Sequence, residues 1–118
     1  MPLSNYARNK LMDSLLEGGV YISLHCEDPG LTGENEITGG CYKRQLADTF
    51  SQANDGEKAS KNDILFEQMP ESTISHIGVW DSKEKGNFIW GAELLSKKAI
   101  HEGDTLKLGA GNIILGLS

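Results

Sequence analysis

Cysteine and proline are both scarce in this chain of 118 residues, which has two of the first and three of the second. Two cysteines make no disulfide framework, so Cys26 and Cys41 read as free, partly buried thiols. Few prolines beside 14 glycines, with 38% hydrophobic residues, fit a compact, turn-rich fold and not a disordered tail. Positive charge is short as well: 11 Lys and Arg against 17 Asp and Glu leave a net charge of −6. That balance argues against nucleic acid as a partner, because affinity for it rests on Lys and Arg replacing condensed counterions. No stretch approaches the roughly 20 apolar residues that a membrane-spanning helix needs. Residues 1–19 contain Arg8, Lys10, Asp13 and Glu17, which interrupt the apolar centre of a signal peptide. The expectation is a soluble protein with no membrane partner, made in the cytosol. At this length one core is the natural outcome, hence a single domain over residues 1–118.

What is present is a set of short alternating runs. Val20, Ile22, Leu24 and Cys26 alternate with Tyr21, Ser23 and His25, the period of a strand with one buried face. Asp28-Pro29-Gly30 ends that strand, an acidic loop follows, and Gly39-Gly40 resets the chain before Tyr42-Lys43-Arg44-Gln45 opens a second run. Further strands are expected over 63–67, 73–81, 88–94, 97–101, 105–108 and 113–117, with turns at Asn54-Asp55-Gly56, at 82–87 and at Gly109-Ala110-Gly111. Apolar residues on both faces of 73–81 make that strand central.

Helical signal is confined to residues 3–17. Ser4 is the N-cap, and Leu3, Ala7, Leu11 and Leu15 form a stripe over 5–16 that Tyr6, Met12 and Leu16 widen. Gly18-Gly19 supplies the stop. Such a helix either covers a sheet edge or docks on a neighbouring subunit. Strands every ten residues or so indicate an all-β chain: an antiparallel β-sandwich over 20–118 with one short N-terminal α-helix. The long 27–41 connection suits a Greek-key or jelly-roll-like path.

Most candidate chemistry fails on spacing. His25 and Cys26 are adjacent on a strand and leave opposite faces, and no CxxC, HxH or HExxH occurs. Glu27, Asp28, Glu34 and Glu36 lack the ligand alternation of a calcium loop. No cofactor motif and no nucleophile elbow is present, and Cys26 or Cys41 with His76 or His101 is left as the only conceivable nucleophile set. The chain therefore reads as no enzyme, without metal or cofactor. Arg44 shares a strand face with Tyr42 and Leu46, so it is expected to be partly buried and paired with Asp28 or Glu36.

The block L-x-x-x-D-P…G-x-x-E-I-x-G-G-x-Y-x-R-Q, followed by SHIGVWD, NFIWGAEL and EGDTL, resembles a family of small bacteriophage virion proteins described as tail-fibre-like, minor structural or capsid-decoration proteins. The resemblance covers nearly the whole chain. It implies a jelly-roll-like subunit that assembles with copies of itself, a trimer by this reading, and attaches to the major capsid protein or another virion protein. It implies location in the virion after synthesis in the host bacterial cytoplasm, as a capsid decoration, cement or head-fibre subunit. The alternative is a tail-fibre or tail-tip module that binds a receptor or glycan. Asp28, Pro29, Gly33, Glu36, Gly39, Gly40, Tyr42, Arg44 and Gln45 are read as loop and strand architecture. Tyr6, Leu11, Leu31, Trp80 and Trp90 are the candidate interface residues, the aromatic ones because aromatics are enriched at subunit contacts.

Overall fold

The computed structural model describes residues 4–47, 50, 57–59, 61, 63–109 and 114–116. Leu3, the Asn54-Asp55-Gly56 turn and Ala110-Gly111 lie outside the described residues. The element order is α1 (Asn5–Leu16), β1 (Val20–His25), β2 (Gln45–Ala47), β3 (Glu57–Ala59), β4 (Ile64–Phe66), β5 (Ser72–Trp80), β6 (Phe88–Ile100), β7 (Leu106–Leu108) and β8 (Ile114–Gly116). The fold is all-β and antiparallel with one N-terminal helix, as the spacing of turns predicts.

Helix α1 starts where expected, with the Ser4 hydroxyl accepting from the Ala7 amide. It ends through Gly18 and Gly19, both at positive φ, where a side chain would be strained. Its azimuth differs from the expected stripe. Met12 and Leu16 are the buried residues, while Leu11 and Leu15 are 45% and 38% exposed. The burial line is displaced by one position, which on a helix is a rotation of about 100°. With six apolar side chains spread around α1, the stripe fixes no single azimuth.

Strands β2-β1-β5-β6 form a four-stranded sheet in that order, and β3-β8 and β4-β7 form two-stranded ladders. A jelly roll's pair of four-stranded sheets is not among the described pairings. β5 is central, as its two apolar faces predict. The expected strands at 88–94 and 97–101 are one strand, β6, whose pairing with β5 slips between Ile74 and His76 and again between Val79 and Trp80. Those bulges bend a long edge strand, a device that blunts edge-to-edge pairing. β3 was unexpected, because Glu57-Lys58-Ala59 carries no apolar alternation.

One face of the main sheet makes the core. Ile22 stands opposite Val79 and Leu24 opposite Ile77. They cluster with Met12 and Leu16 of α1 and with Ile64, Phe66, Leu106 and Leu108 of the β4-β7 ladder. Burying a side chain such as Phe66 stabilises the fold by about 1.5–3 kcal/mol. The opposite face of β1 departs from the expected pattern. Ser23 and His25 are buried too, so β1 is a strand with two covered faces. What covers the second is the acidic loop.

Candidate functional site: the loop clamped over the sheet

The loop closes as an irregular hairpin on β1. The Cys26 amide donates to the Asn35 carbonyl at 3.2 Å and the Ile37 amide to the Leu24 carbonyl at 2.9 Å, and His25 bridges Glu36. At its tip the Pro29 carbonyl accepts from the Gly33 and Glu34 amides. Asp28 caps this turn by accepting from the Gly30 amide at 2.8 Å, while its carbonyl takes the Asn35 side-chain amide. The Asp28 carboxylate therefore shapes the loop tip, while that of Glu36 turns inward.

Two glycines let the loop approach the sheet, and a third makes room for the side chains beneath it. A Cβ on Gly33 would stand 2.3 Å from the Trp80 ring, one on Gly91 would stand 2.6 Å from the Pro29 ring, and one on Gly78 would stand 2.4 Å from Ser23 Oγ. Glycine inside a strand marks such close approaches. Gly33 also sits at φ +82, a conformation that L side chains rarely adopt. Gly39 at φ +103 has open space around its Cα, and Gly40 at φ +56 abuts Pro70, so these two serve the chain reversal.

Beneath the loop is a buried polar chain. His25 Nδ1 lies 2.7 Å from the Glu34 carbonyl oxygen. A carbonyl only accepts, so Nδ1 carries the proton and Nε2 is bare. Ser23 then donates its hydroxyl to Nε2 at 2.6 Å and accepts from the Trp80 indole N–H at 2.8 Å. Within this chain the serine hydroxyl, both ring nitrogens and the indole N–H each have a partner. Burial pushes His25 below its ordinary pKa. The Glu34 carbonyl and the Glu36 charge oppose that shift without overcoming it, so the ring stays neutral. Phe88 closes the site edge-on to both His25 and Trp80.

Arg44 ties this layer to the rest. It is 9% exposed and grips Glu36 with two bonds, Nε to Oε2 at 3.0 Å and Nη2 to Oε1 at 2.9 Å. Its Nη1 donates to the Ser82 and Lys85 carbonyls of the β5-β6 hairpin, and its guanidinium lies 3.6 Å from the Trp80 ring centroid. The expected partner was Asp28 or Glu36. It is Glu36, because the bridge to His25 faces that residue inward. Tyr42 donates to Glu36 Oε2 at 2.6 Å, accepts from the Leu24 amide, and stacks on Phe66. Burial pushes the Glu36 carboxyl up, but the Arg44 and Tyr42 hydrogen bonds and the neighbouring charges outweigh this and hold it below its usual range. Burial and the Glu36 carboxylate push the Tyr42 phenol well above its ordinary value. The hairpin is braced by Asp81, which accepts from the Asn87 amide and side chain; those bonds lower its pKa.

Ser23, His25 and the Glu34 carbonyl have the spacing of a nucleophile, its base and an orienting acceptor. Ser23 and His25 are both fully buried, so no substrate reaches the hydroxyl, and the arrangement acts as structure. Of the two thiols, Cys26 Sγ donates to the Asn35 carbonyl and Cys41 Sγ to the Gln68 side chain. Both thiols are free and exposed, not partly buried as expected. Among the described residues no group of three or more His, Cys, Asp or Glu could hold a metal ion, and no helix is long and apolar enough to cross a membrane.

Of the loop motif, Glu36, Tyr42 and Arg44 come together, Asp28, Pro29 and Gly33 build the tip, and Gly39 and Gly40 the reversal. Gln45 lies in β2 opposite Ile22 with its side-chain amide on the Lys43 carbonyl. The candidate interface residues do not converge. Tyr6 and Leu31 are 72% and 95% exposed at separate places. Trp80 is buried under the loop, and Trp90 packs half-buried on the core. Ser23, His25 and Gly78 were missed. A lone glycine amid the β-branched residues of 73–81 was the available signal.

A family model, described as Podophage GP4 fiber I protein gp80, matches residues 2–116. The chain belongs to this family. No curated protein matches it. Membership in the fibre family makes the chain a fibre-like structural protein of the phage virion, and the clamped loop is part of how this member builds its subunit.

Proposed function

We propose that the chain is a non-catalytic fibre subunit that assembles with copies of itself, as a closed trimer, and is anchored to another virion protein. The family match over nearly the whole chain carries this reading. Assembly is supported by one flank of α1, where Leu11 and Leu15, one turn apart, stay exposed beside the Met12–Leu16 line that enters the core. Large apolar side chains left in water at such spacing suit a helix packed against a neighbour. Anchoring to the capsid surface as a decoration subunit is the other attachment, and the fibre description favours it less. A tail-tip module binding glycan through exposed Trp or Tyr is favoured less again, since Trp80 is buried and Trp90 half-buried.

Light scattering on the purified chain tests assembly. A trimer is expected for the native sequence and a monomer for Leu11→Glu/Leu15→Glu with an unchanged circular dichroism spectrum. A native monomer that never co-sediments with phage particles overturns the reading. Antibody labelling of intact particles separates fibre from capsid surface.

A further inference from the structure

We propose that the cleft between residues 36–43 and the β5-β6 hairpin binds an oxyanion carried on a polysaccharide, a sugar phosphate or a sugar carboxylate. The cleft has a volume of about 360 Å³, within the range of small-ligand sites, and it is open, so it takes part of a longer molecule. Four cations and two carboxylates line it. Arg44 and Glu36 cancel each other as the buried pair on its floor, which leaves Lys43, Lys83 and Lys85 against Glu84. Among the described residues none of these three lysines is in an ion pair. In a chain of net charge −6 this is a local reversal of sign.

The backbone that carries Lys83 and Lys85 is also held in place. Arg44 binds the carbonyls of Ser82 and Lys85, and Asp81 braces the far side of the hairpin through Asn87. Lys85 itself adopts φ +53, a left-handed conformation that Asn or Gly takes more cheaply. The acidic remainder of the chain selects the kind of anion. Charge acts over about 8 Å at physiological salt, so a sparsely charged sugar chain places one anion over the lysines and neutral units elsewhere. Duplex DNA, with a charge about every 1.7 Å, sets its next phosphates against carboxylates.

The test is a titration of the ¹⁵N-labelled chain with inorganic phosphate, a phosphorylated oligosaccharide, a uronic-acid oligosaccharide and a DNA oligomer. Saturable shifts of the Thr38, Gly39, Lys83 and Lys85 amides are expected with one or both acidic sugars, and whichever binds identifies phosphate or carboxylate as the group. Lys43→Gln/Lys83→Gln/Lys85→Asn changes only exposed side chains and keeps a residue suited to positive φ. With the fold confirmed by an otherwise unchanged spectrum, it is expected to bind at least about tenfold more weakly, and added salt is expected to weaken native binding. Unchanged affinity in the triple variant, shifts centred elsewhere, no binding of either sugar, or binding of free phosphate or DNA as tight as that of the sugars overturns the proposal. It stands apart from assembly through α1, which the light-scattering result decides separately.

Discussion

The two faces of β1 are buried by different means. On one, Ile22 and Leu24 meet Val79 and Ile77 and pack into the hydrophobic cluster. On the other, Ser23 and His25 lie under a loop held by hydrogen bonds and the Arg44–Glu36 pair. The apolar face gains stability from the area it removes from water, with little demand on geometry. The polar face gains little net from each bond but loses much if one partner is left alone. One face is tolerant and strong, the other exacting and specific.

The largest effect is expected on the apolar face. Leu24→Ala should cost about 3 kcal/mol in chemical denaturation, from lost transfer free energy and the cavity left behind. Arg44→Met comes next at about 2–3 kcal/mol, because Glu36 is left in a half-buried place with no cation and only the Tyr42 hydroxyl as partner. The figure sits below that for a fully buried pair, since the Glu36 side chain is 21% exposed and keeps some water. Arg44→Met/Glu36→Leu should recover most of the loss, as removing both partners removes the stranded charge. No second substitution of that kind rescues Leu24→Ala. If the double variant is no better than the single, the two faces do not differ in the way argued.

Acid separates the faces as well. The folded state holds His25 below its ordinary value of 6.5, so the unfolded chain takes up that proton first. Stability should be full above about pH 6.5 and fall as pH drops towards the folded value. Glu36 is held below its ordinary 4.5, so a second loss should begin near that pH and continue as the pH falls through its folded value. His25→Asn keeps a donor for the Glu34 carbonyl and removes the first titration. Its stability profile should be flat from neutrality to about pH 5, while the second fall remains.

Much of this was legible in the residues, and the failures have physical causes. Ser4, the helix bounds and the central place of β5 follow from local chemistry that tertiary packing did not override. A partner for Arg44 was foreseeable because a buried charge demands one. Which acid it would be was not, since Asp28 and Glu36 are sorted by the loop's own turn. The second buried face of β1 was hidden because serine and histidine read as solvent-facing in an alternating run. Only Gly33, Gly78 and Gly91 reveal that something lies within contact distance of that face. The azimuth of α1 was undetermined because apolar residues occupy more of its circumference than the core covers.

The smallest effects test whether the polar face is a unit. Gly78→Ala adds a Cβ 2.4 Å from Ser23 Oγ and 2.7 Å from His25 Nε2, and crowding of that degree should cost about 2 kcal/mol. Ser23→Ala should cost about 1 kcal/mol, as the Trp80 N–H loses its acceptor and His25 Nε2 its donor. Combined, the two should cost less than their sum. The substitution at Ser23 removes the closer of the two obstructing atoms, and the new methyl fills part of the space it vacates. The relief is incomplete, because the His25 nitrogen stays where the Glu34 carbonyl holds it. Measured by denaturant titration of all four chains, a coupling of about 0.5–1 kcal/mol in the favourable direction is expected for side chains in contact. Strict additivity would mean that β5 shifts to admit the methyl and that the loop, not the hydrogen-bonded chain beneath it, sets the spacing of this face.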